Sequence, residues 1–162
     1  NWNASKAKNT SHKYANGLLV YNLDCDNFVI NLEIDQIINN YDIRDNFIYF
    51  GWSGTWKDGT AGRVCTTKKQ FLELNGYNQN FNETGYEDLD LFERLKAKYK
   101  SVYYKPHNFV NTALQNDKSE GIKNINNKKS WKEMERHNHD MSKFNIKNKI
   151  FRNDHELSLI HI

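Results

Sequence analysis

An apolar run that ends in closely spaced carboxylates places the strongest constraint on how this chain folds. Residues 17–23 (GLLVYNL) form a continuous apolar run with β-branched and aromatic members, which predicts a buried strand. Asp24 and Asp26 follow directly, at the position where open α/β sheets bind ligands. Paired carboxylate oxygens suit a Mg2+ or Mn2+ ion that keeps coordination sites for phosphates. The same residues are also typical of a turn with local hydrogen bonds, so both interpretations stay open.

A glycine-rich loop follows a second predicted strand. The strand covers residues 45–50 (DNFIYF), and the loop covers residues 51–62, which include four glycines. A loop of this kind turns sharply and is able to close over a substrate. Trp52 and Trp56 lie in it and are candidates for stacking on sugar rings. Each tryptophan is equally consistent with an anchor in the core.

Two helices have boundaries that are visible in the sequence. Thr67 caps the first helix together with Gln70, and residues 75–76 (NG) supply a left-handed stop. Three apolar residues of this helix are expected to face the core: Phe71, Leu72 and Leu74. The second helix starts near Glu87. Its apolar stripe consists of Leu91, Phe92 and Leu95.

Glu87 and Asp88 occupy the first turn of that second helix. Acidic residues are favourable there by about 0.3–1 kcal/mol through the helix dipole, so a structural role is sufficient to explain them. The alternative is that the helix N-terminus holds Asp88 at the rim of a cleft, where it accepts a proton from a substrate hydroxyl. Asp90 and Glu93, further round the helix, are expected to be solvated.

The remaining elements define the class of the domain. A third strand is expected at residues 102–104, ended by Pro106. The order strand, strand, helix, helix, strand predicts an α/β or α+β domain. Residues 108–162 form a polar tail that we expect to be partly helical and in part loosely packed. His137 and His139 point apart on a helix, which favours a solvated face over a metal pair.

The composition excludes several classes of protein. The chain has 162 residues, of which 38% are hydrophobic, enough for one core. The net charge of +3 is spread along the chain, so no nucleic-acid partner is expected. No apolar run is long enough to span a membrane, and two separated cysteines fit a reduced, cytoplasmic setting. Because the first residue is asparagine rather than methionine, we expect the chain to be a piece of a longer protein.

Four segments, taken in order, resemble nucleotide-sugar glycosyltransferases of the GT-A fold. They are residues 2–9 (WNASKAKN), 20–28 (VYNLDCDNF), 68–81 (KKQFLELNGYNQNF) and 85–95 (GYEDLDLFERL). The resemblance is to the C-terminal portion of the beta-galactosyltransferase type and its bacterial family-two relatives. It implies an α/β, Rossmann-like GT-A fold that is incomplete at the N-terminus. Residues 1–107 would be the C-terminal part of the catalytic domain, followed by the tail at 108–162.

The resemblance implies roles for individual residues. Asp24 and Asp26 would meet the metal and the donor diphosphate, Asp26 most directly. Asp88 would be the base that deprotonates the acceptor hydroxyl. The other implied substrate-binding residues are Glu87, for acceptor hydroxyls; Lys6 and Asn9, near the nucleotide; Gly62 and Arg63, beside the donor sugar; and Gly85 and Tyr86, in the acceptor segment.

Three positions depart from the family pattern. Ala4 stands where the family has an arginine, which removes a phosphate or base contact, and Thr84 falls near the position of a family tryptophan. Acceptor stacking is then left to Tyr86 or to the loop tryptophans. The family's later metal-binding histidine falls on Asn116, whose oxygen binds a hard cation more weakly.

The resemblance therefore predicts transfer of a sugar from a nucleoside-diphosphate donor to a glycan or other hydroxyl acceptor, with Mn2+ or Mg2+ and with inversion. A membrane would be reached only through the acceptor. The competing interpretation is a catalytically inactive carbohydrate-binding or scaffold module on the same fold, which Asn116 favours. A basic RNA-binding domain is favoured least, because the Lys- and Asn-rich tail has few aromatic residues.

Overall fold

The described residues form five helices and three strands. The computed structural model describes residues 2–41, 47–52, 60–99, 112–114, 123, 125 and 128–154. Its helices are α1 (Ala4–Tyr14), α2 (Asn31–Asn40), α3 (Lys68–Glu73), α4 (Glu87–Lys98) and α5 (Trp131–Lys147). Its strands are β1 (Leu19–Tyr21), β2 (Ile48–Gly51) and β3 (Arg63–Thr67). The mixed α/β class that the sequence predicted is confirmed.

The three strands form one antiparallel sheet in the order β1-β3-β2. Val20 lies opposite Thr66, and Tyr49 lies opposite Cys65. All five residues of β3 are buried, as expected for a central strand. The sequence analysis missed β3 because Arg63 and the two threonines give a buried strand a polar sequence.

β1 is shorter and less buried than the sequence predicted. Of its three residues, only Val20 is buried, and Leu18, which precedes the strand, is 75% exposed. A continuous apolar run is typical of a central strand in a parallel sheet, which is covered on both faces. β1 instead lies at the edge of an antiparallel sheet, so the prediction of a fully buried strand is wrong.

Helices cover both faces of the sheet. One face, which includes Phe50, packs against α3 and α4, and the Phe50 ring stacks on Phe92 of α4 with their centroids 4.3 Å apart. The other face includes Tyr49 and Cys65 and packs against Ile37 of α2. Alternate residues of β2 therefore serve two separate apolar clusters. A stacked aromatic pair adds about 0.5–1.5 kcal/mol to the burial of its surface.

α3 has the boundaries that the sequence predicted. Thr67 Oγ1 accepts a hydrogen bond from Gln70 N at 3.1 Å, and Thr67 N donates to Gln70 Oε1 at 3.0 Å, which completes a capping box. Residues 75 and 76 are left-handed, with φ of 56° and 65°. Two of the three predicted core residues are fully buried, but Leu72 is 38% exposed. Leu72 turns outward because successive helical residues lie about 100° apart.

α4 starts at Glu87, and its apolar stripe is buried, as predicted. Glu93 is exposed over 40% of its side chain, also as expected. Asp90 was expected to be solvated and is fully buried. Its carboxylate accepts a hydrogen bond from Arg94 Nε at 2.7 Å, and Arg94 Nη2 donates to the Gly76 carbonyl at 2.8 Å. The expectation was wrong because a guanidinium one turn later allows the carboxylate to be buried.

The tail from residue 128 to residue 154 packs against the rest of the domain. α5 begins with a second capping box, and it buries a stripe that includes Met134 and Asn138. Beyond α5, the Asn153 side chain donates to the Gly76 carbonyl at 2.9 Å. This part of the tail is packed, because buried amides anchor a polar tract through backbone hydrogen bonds. Loose packing elsewhere in the tail stays a prediction.

The second predicted strand is confirmed as β2. Cys25 is exposed, Cys65 is buried, and both are free thiols. The strand expected at residues 102–104 lies outside the described residues, as do Trp56 and Asn116.

A buried histidine makes the stability of the fold depend on pH. The His12 ring stacks on Phe71 with centroids 4.8 Å apart, and its Nδ1 donates to the Lys8 carbonyl at 2.8 Å. Burial, with a smaller contribution from the Lys8 charge, lowers the pKa of His12 to about 4. The unfolded chain therefore binds a proton below about pH 6.5 that the folded chain does not bind until about pH 4.

We expect the free energy of unfolding to fall by up to about 3 kcal/mol between pH 6.5 and pH 4 through His12. Urea unfolding of the wild type and of His12→Phe at pH 7 and pH 4.5 measures this effect. Carboxylate titration is common to both proteins, so the wild type should lose more stability than the variant. An equal loss in both proteins would contradict the assignment.

Candidate active site

A lysine on α1 meets carboxylates from two other parts of the chain. Lys8 Nζ lies 2.7 Å from both carboxylate oxygens of Asp88 and 3.0 Å from Glu87 Oε1. It lies 3.7 Å from Asp24 Oδ1. The N-terminus of α4 supplies Glu87 and Asp88, and the segment after β1 supplies Asp24. The fold therefore brings together three carboxylates from two segments that the sequence analysis selected separately.

Gly62 has no side chain, and two of these carboxylates lie beside the space that a Cβ would occupy. A Cβ at this position would lie 3.0 Å from Asp88 Oδ2 and 3.1 Å from Asp24 Oδ2. Asn22 Nδ2 donates to the Gly62 carbonyl at 2.9 Å and lies 3.4 Å from both Asp24 Oδ1 and Asp88 Oδ1. We call this space the Gly62 hollow. It is bounded by Gly62, Asn22, Asp24, Asp88 and Lys8.

The charged groups around the hollow shift one another's pKa values. Burial, together with the nearby charges of Glu87 and Asp24, raises the pKa of Asp88 to about 8, although Lys8 acts in the opposite direction. Burial disfavours the charge on Lys8, but the three carboxylates outweigh burial and raise the pKa of Lys8 well above its usual value. A carboxyl group that titrates near neutral pH is suited to accept a proton from a substrate.

Two buried polar atoms near this cluster lack a hydrogen-bond partner among the described residues: Glu87 Oε2 and the Tyr77 hydroxyl. Lys8 Nζ lies 5.5 Å from the centroid of the Tyr77 ring. A buried polar atom without a partner costs about 1–3 kcal/mol. Such atoms are therefore candidates to bind a hydroxyl group that a ligand brings into the site.

Asp26 follows Asp24 in the same turn. Its Oδ1 accepts a hydrogen bond from Asn27 Nδ2 at 2.8 Å, and its carbonyl accepts from Leu114 N at 2.8 Å. These two hydrogen bonds hold the turn that the sequence analysis selected. The role of Asp26 as the most direct metal ligand stays a prediction.

Arg63 does not line the site in the way that the resemblance implied. Its side chain is fully buried, with Nη1 3.1 Å from Glu33 Oε2, Nε donating to Asn27 Oδ1 at 2.8 Å, and Nη2 donating to the Thr112 carbonyl at 2.7 Å. The predicted contact with a donor sugar is wrong because the guanidinium is enclosed by protein groups. Arg63 instead ties β3 to α2 and to the turn that ends at Asn27.

The two polar residues predicted near the nucleotide lie on different faces of α1. Asn9 is buried, with Nδ2 donating to the Tyr77 carbonyl at 2.9 Å and Oδ1 accepting from Tyr77 N at 2.8 Å. Its amide therefore holds the backbone beside the cluster. Lys6 is exposed, and its proximity to a nucleotide stays a prediction.

The residues predicted to stack on a sugar lie in different parts of the structure. Gly85 and Tyr86 precede α4 with left-handed φ of 92° and 68°. The half-buried Tyr86 ring meets His139 of α5 edge-to-face, with centroids 4.8 Å apart. Trp52 packs against the core cluster beside Phe50 at 6.3 Å between centroids. This packing favours the core-anchor interpretation of Trp52.

Sequence reasoning missed Lys8 and Asn22. Lys8 falls on an unspecified position of the segment at residues 2–9, so neither the resemblance nor the helical pattern singles it out. Asn22 lies within the predicted strand, where it was counted as part of an apolar run. Only the fold reveals that both side chains meet Asp24 and Asp88.

A family model described as "Glycosyltransferase like family 2" matches residues 41–143. This chain belongs to that family. The glycosyltransferase match includes Gly62, Glu87 and Asp88, whereas Lys8 and Asp24 precede it. No curated protein and no solved structure matches the chain.

Membership identifies the chain as a glycosyltransferase-type transferase, which implies a sugar donor and an acceptor. None of the helices in the described parts of the chain is long and apolar enough to cross a membrane. Within those same parts, no three His, Cys, Asp or Glu side chains are grouped so as to hold a metal ion by themselves.

Proposed function

We propose that this chain is the C-terminal part of a GT-A glycosyltransferase, of the beta-galactosyltransferase type, which moves a hexose from a nucleoside-diphosphate donor to an acceptor hydroxyl with inversion. The observation that carries the proposal is the convergence of Asp24 and Asp88 on the Gly62 hollow, with Lys8 against both. The family match supports the transferase class. The raised pKa of Asp88 supports its assignment as the base.

In the proposed reaction, the acceptor hydroxyl binds in the Gly62 hollow and attacks the anomeric carbon of the donor sugar. Asp88 accepts the hydroxyl proton as the new bond forms and the bond to the diphosphate breaks. Lys8 holds both oxygens of Asp88 and so fixes the direction in which the carboxylate faces. Glu87 Oε2, buried without a partner among the described residues, accepts a hydrogen bond from a second hydroxyl of the acceptor.

The proposal includes a divalent cation beside the hollow, on Asp24. Carboxylate oxygens are the ligands that Mg2+ and Mn2+ prefer, whereas both oxygens of Asp88 already face the Lys8 ammonium group. Asp24, which has an exposed carboxylate, would hold the ion together with Asp26 and the donor diphosphate. When bound, the ion would offset the charge on the departing diphosphate. The setting we propose for this reaction is the cytoplasm.

Release of nucleoside diphosphate from a panel of sugar nucleotides, with and without glycan acceptors and Mn2+, tests this function. We expect release that requires an acceptor. Asp24→Asn should raise the donor KM about tenfold or more and reduce the stimulation by Mn2+, because it removes a charged metal ligand. Asp35→Asn, at an exposed position on α2, is the matched control and should behave like the wild type.

The outcomes of this panel separate the two candidate functions. Sugar binding without diphosphate release from any donor would support the catalytically inactive carbohydrate-binding module. Equal Mn2+ dependence in the wild type and in Asp24→Asn would remove the metal assignment but leave the transferase assignment intact.

A further inference from the structure

Asn138 lies on the buried face of α5, and its side-chain amide bonds to one short segment. The residue is fully buried. Its Oδ1 accepts a hydrogen bond from Asn82 N at 2.8 Å, and its Nδ2 donates to the carbonyls of Gly85 at 2.7 Å and Thr84 at 3.2 Å. The Asn82 carbonyl also lies 3.4 Å from Nδ2. One amide therefore serves four backbone groups within residues 82–85.

This segment leads directly into the acidic first turn of α4. Gly85 and Tyr86 are both left-handed, with φ of 92° and 68°. For a tyrosine this conformation costs about 1–2 kcal/mol, and it persists only where the surroundings fix it. Tyr86 is the N-cap of α4, and its side chain makes no capping hydrogen bond. The conformation of the turn therefore depends on contacts from elsewhere in the fold.

α5 contacts the same turn at two further places. A Cβ at Gly85 would lie 3.1 Å from Glu135 Cα, so α5 approaches the Gly85 backbone closely. His139 meets the Tyr86 ring with centroids 4.8 Å apart. Glu135, Asn138 and His139 are spaced three and four residues apart, and such residues lie on one side of a helix. One side of α5 thus holds the turn by a hydrogen-bonded amide and two packing contacts.

We propose that Asn138 is a positioning residue that fixes the turn at residues 82–86 and, through it, holds Glu87 and Asp88 against Lys8. The mechanical part of this proposal concerns the conformation of the turn. Its effect on sugar transfer rests on the proposed function. Neither the family resemblance nor the polar sequence of the tail assigns Asn138 a role.

Hydrogen exchange of the whole chain, followed by mass spectrometry, tests the mechanical part. Asn138→Asp keeps the size of the side chain and its acceptor, but an ionised carboxylate cannot donate to the carbonyls of Thr84 and Gly85. We expect amides of residues 82–90 to exchange about tenfold faster or more, because local opening loses these bonds. Amides of α3 should exchange at the wild-type rate.

Two further variants keep the result interpretable. Asn138→Ala removes the donors without adding a charge and should show the same local increase. Ser142→Ala changes a buried residue of the same α5 stripe one turn further on and should exchange like the wild type. Wild-type exchange at residues 82–90 in both Asn138 variants would overturn the proposal. A uniform increase along the whole chain would overturn it too, since it would show a general loss of stability.

Steady-state transfer kinetics test the catalytic part. Asn138→Ala should lower kcat about tenfold or more while the donor KM stays within about twofold of the wild type, because a displaced base slows the chemical step without changing donor contacts. Faster local exchange with an unchanged kcat would overturn this part. If the wild-type chain transfers no sugar, the proposed function fails, and the exchange result still decides whether Asn138 positions the turn.

Discussion

Replacing Asp88 with asparagine is expected to lower kcat by about 10²–10⁴-fold, the usual contribution of a general base. Asparagine is close in size to aspartate, but its amide cannot take a proton from a hydroxyl group. Lys8 would keep its 3.0 Å contact with Glu87, so the local fold should persist. The measurement is acceptor-dependent release of nucleoside diphosphate at saturating donor.

The same variant should remain folded, because Lys8 keeps its contacts with Glu87 and Asp24. Burial and two neighbouring acids disfavour the charged form of Asp88 and raise its pKa to about 8. Removing the charge therefore relieves repulsion. Asp140→Asn, at a position exposed over 71% of its side chain on α5, is the control for loss of a surface charge. A kcat for Asp88→Asn within about threefold of the wild type would remove the base assignment.

Replacing Arg63 with methionine is expected to lower the free energy of unfolding by about 3–5 kcal/mol, as when one partner of a buried ion pair is removed. Glu33 is fully buried and lies 3.1 Å from the guanidinium. Without Arg63, the hydrogen bonds that this carboxylate keeps from the described residues come from the hydroxyls of Tyr21 and Tyr49. Urea unfolding at neutral pH measures the loss.

A double variant separates the charge from the packing. Arg63→Met combined with Glu33→Gln removes both charges and leaves an acceptor for Tyr21 and Tyr49, so we expect it to recover most of the lost stability. A double variant as unstable as the single one would show that the lost bonds to Asn27 and Thr112 dominate. A loss below about 1 kcal/mol for Arg63→Met alone would contradict the prediction.

The local boundaries of the fold could be predicted because their determinants lie within a few residues of one another. Thr67 and Gln70 form the capping box that the sequence indicated, and the left-handed stop follows at residues 75–76. Each of these signals depends on backbone hydrogen bonds that close over one helical turn.

The burial of charged residues could not be predicted, because it depends on partners brought together by the fold. Arg63 is buried because Glu33, on another element, meets it inside the protein. Asp90 is buried because Arg94 reaches both its carboxylate and a carbonyl at Gly76. A charged side chain in isolation predicts exposure. The sequence analysis therefore expected Asp90 to be solvated, and only the resemblance placed Arg63 beside a donor sugar.

The candidate site was predictable only as separate parts. Asp24 and Asp88 each had a plain structural explanation, and the resemblance alone joined them. Their contact with Lys8 could be found only in the structure, because position 8 is not specified in the motif. In the folded chain, α1 lies against the N-terminus of α4, and this arrangement brings Lys8 to Asp88.

The location of Lys8 on α1 bears on how the protein can be divided. The family match begins at residue 41, so a recombinant piece limited to the matched region would retain Asp88 but lose the ammonium group that faces it. It would also lose Asp24 and the edge strand that precedes it. Glu87 and Asp88 would then repel each other without the Lys8 ammonium group between them. A recombinant piece with these boundaries would therefore keep Glu87 and Asp88 but lack the two residues, Lys8 and Asp24, that complete the candidate site.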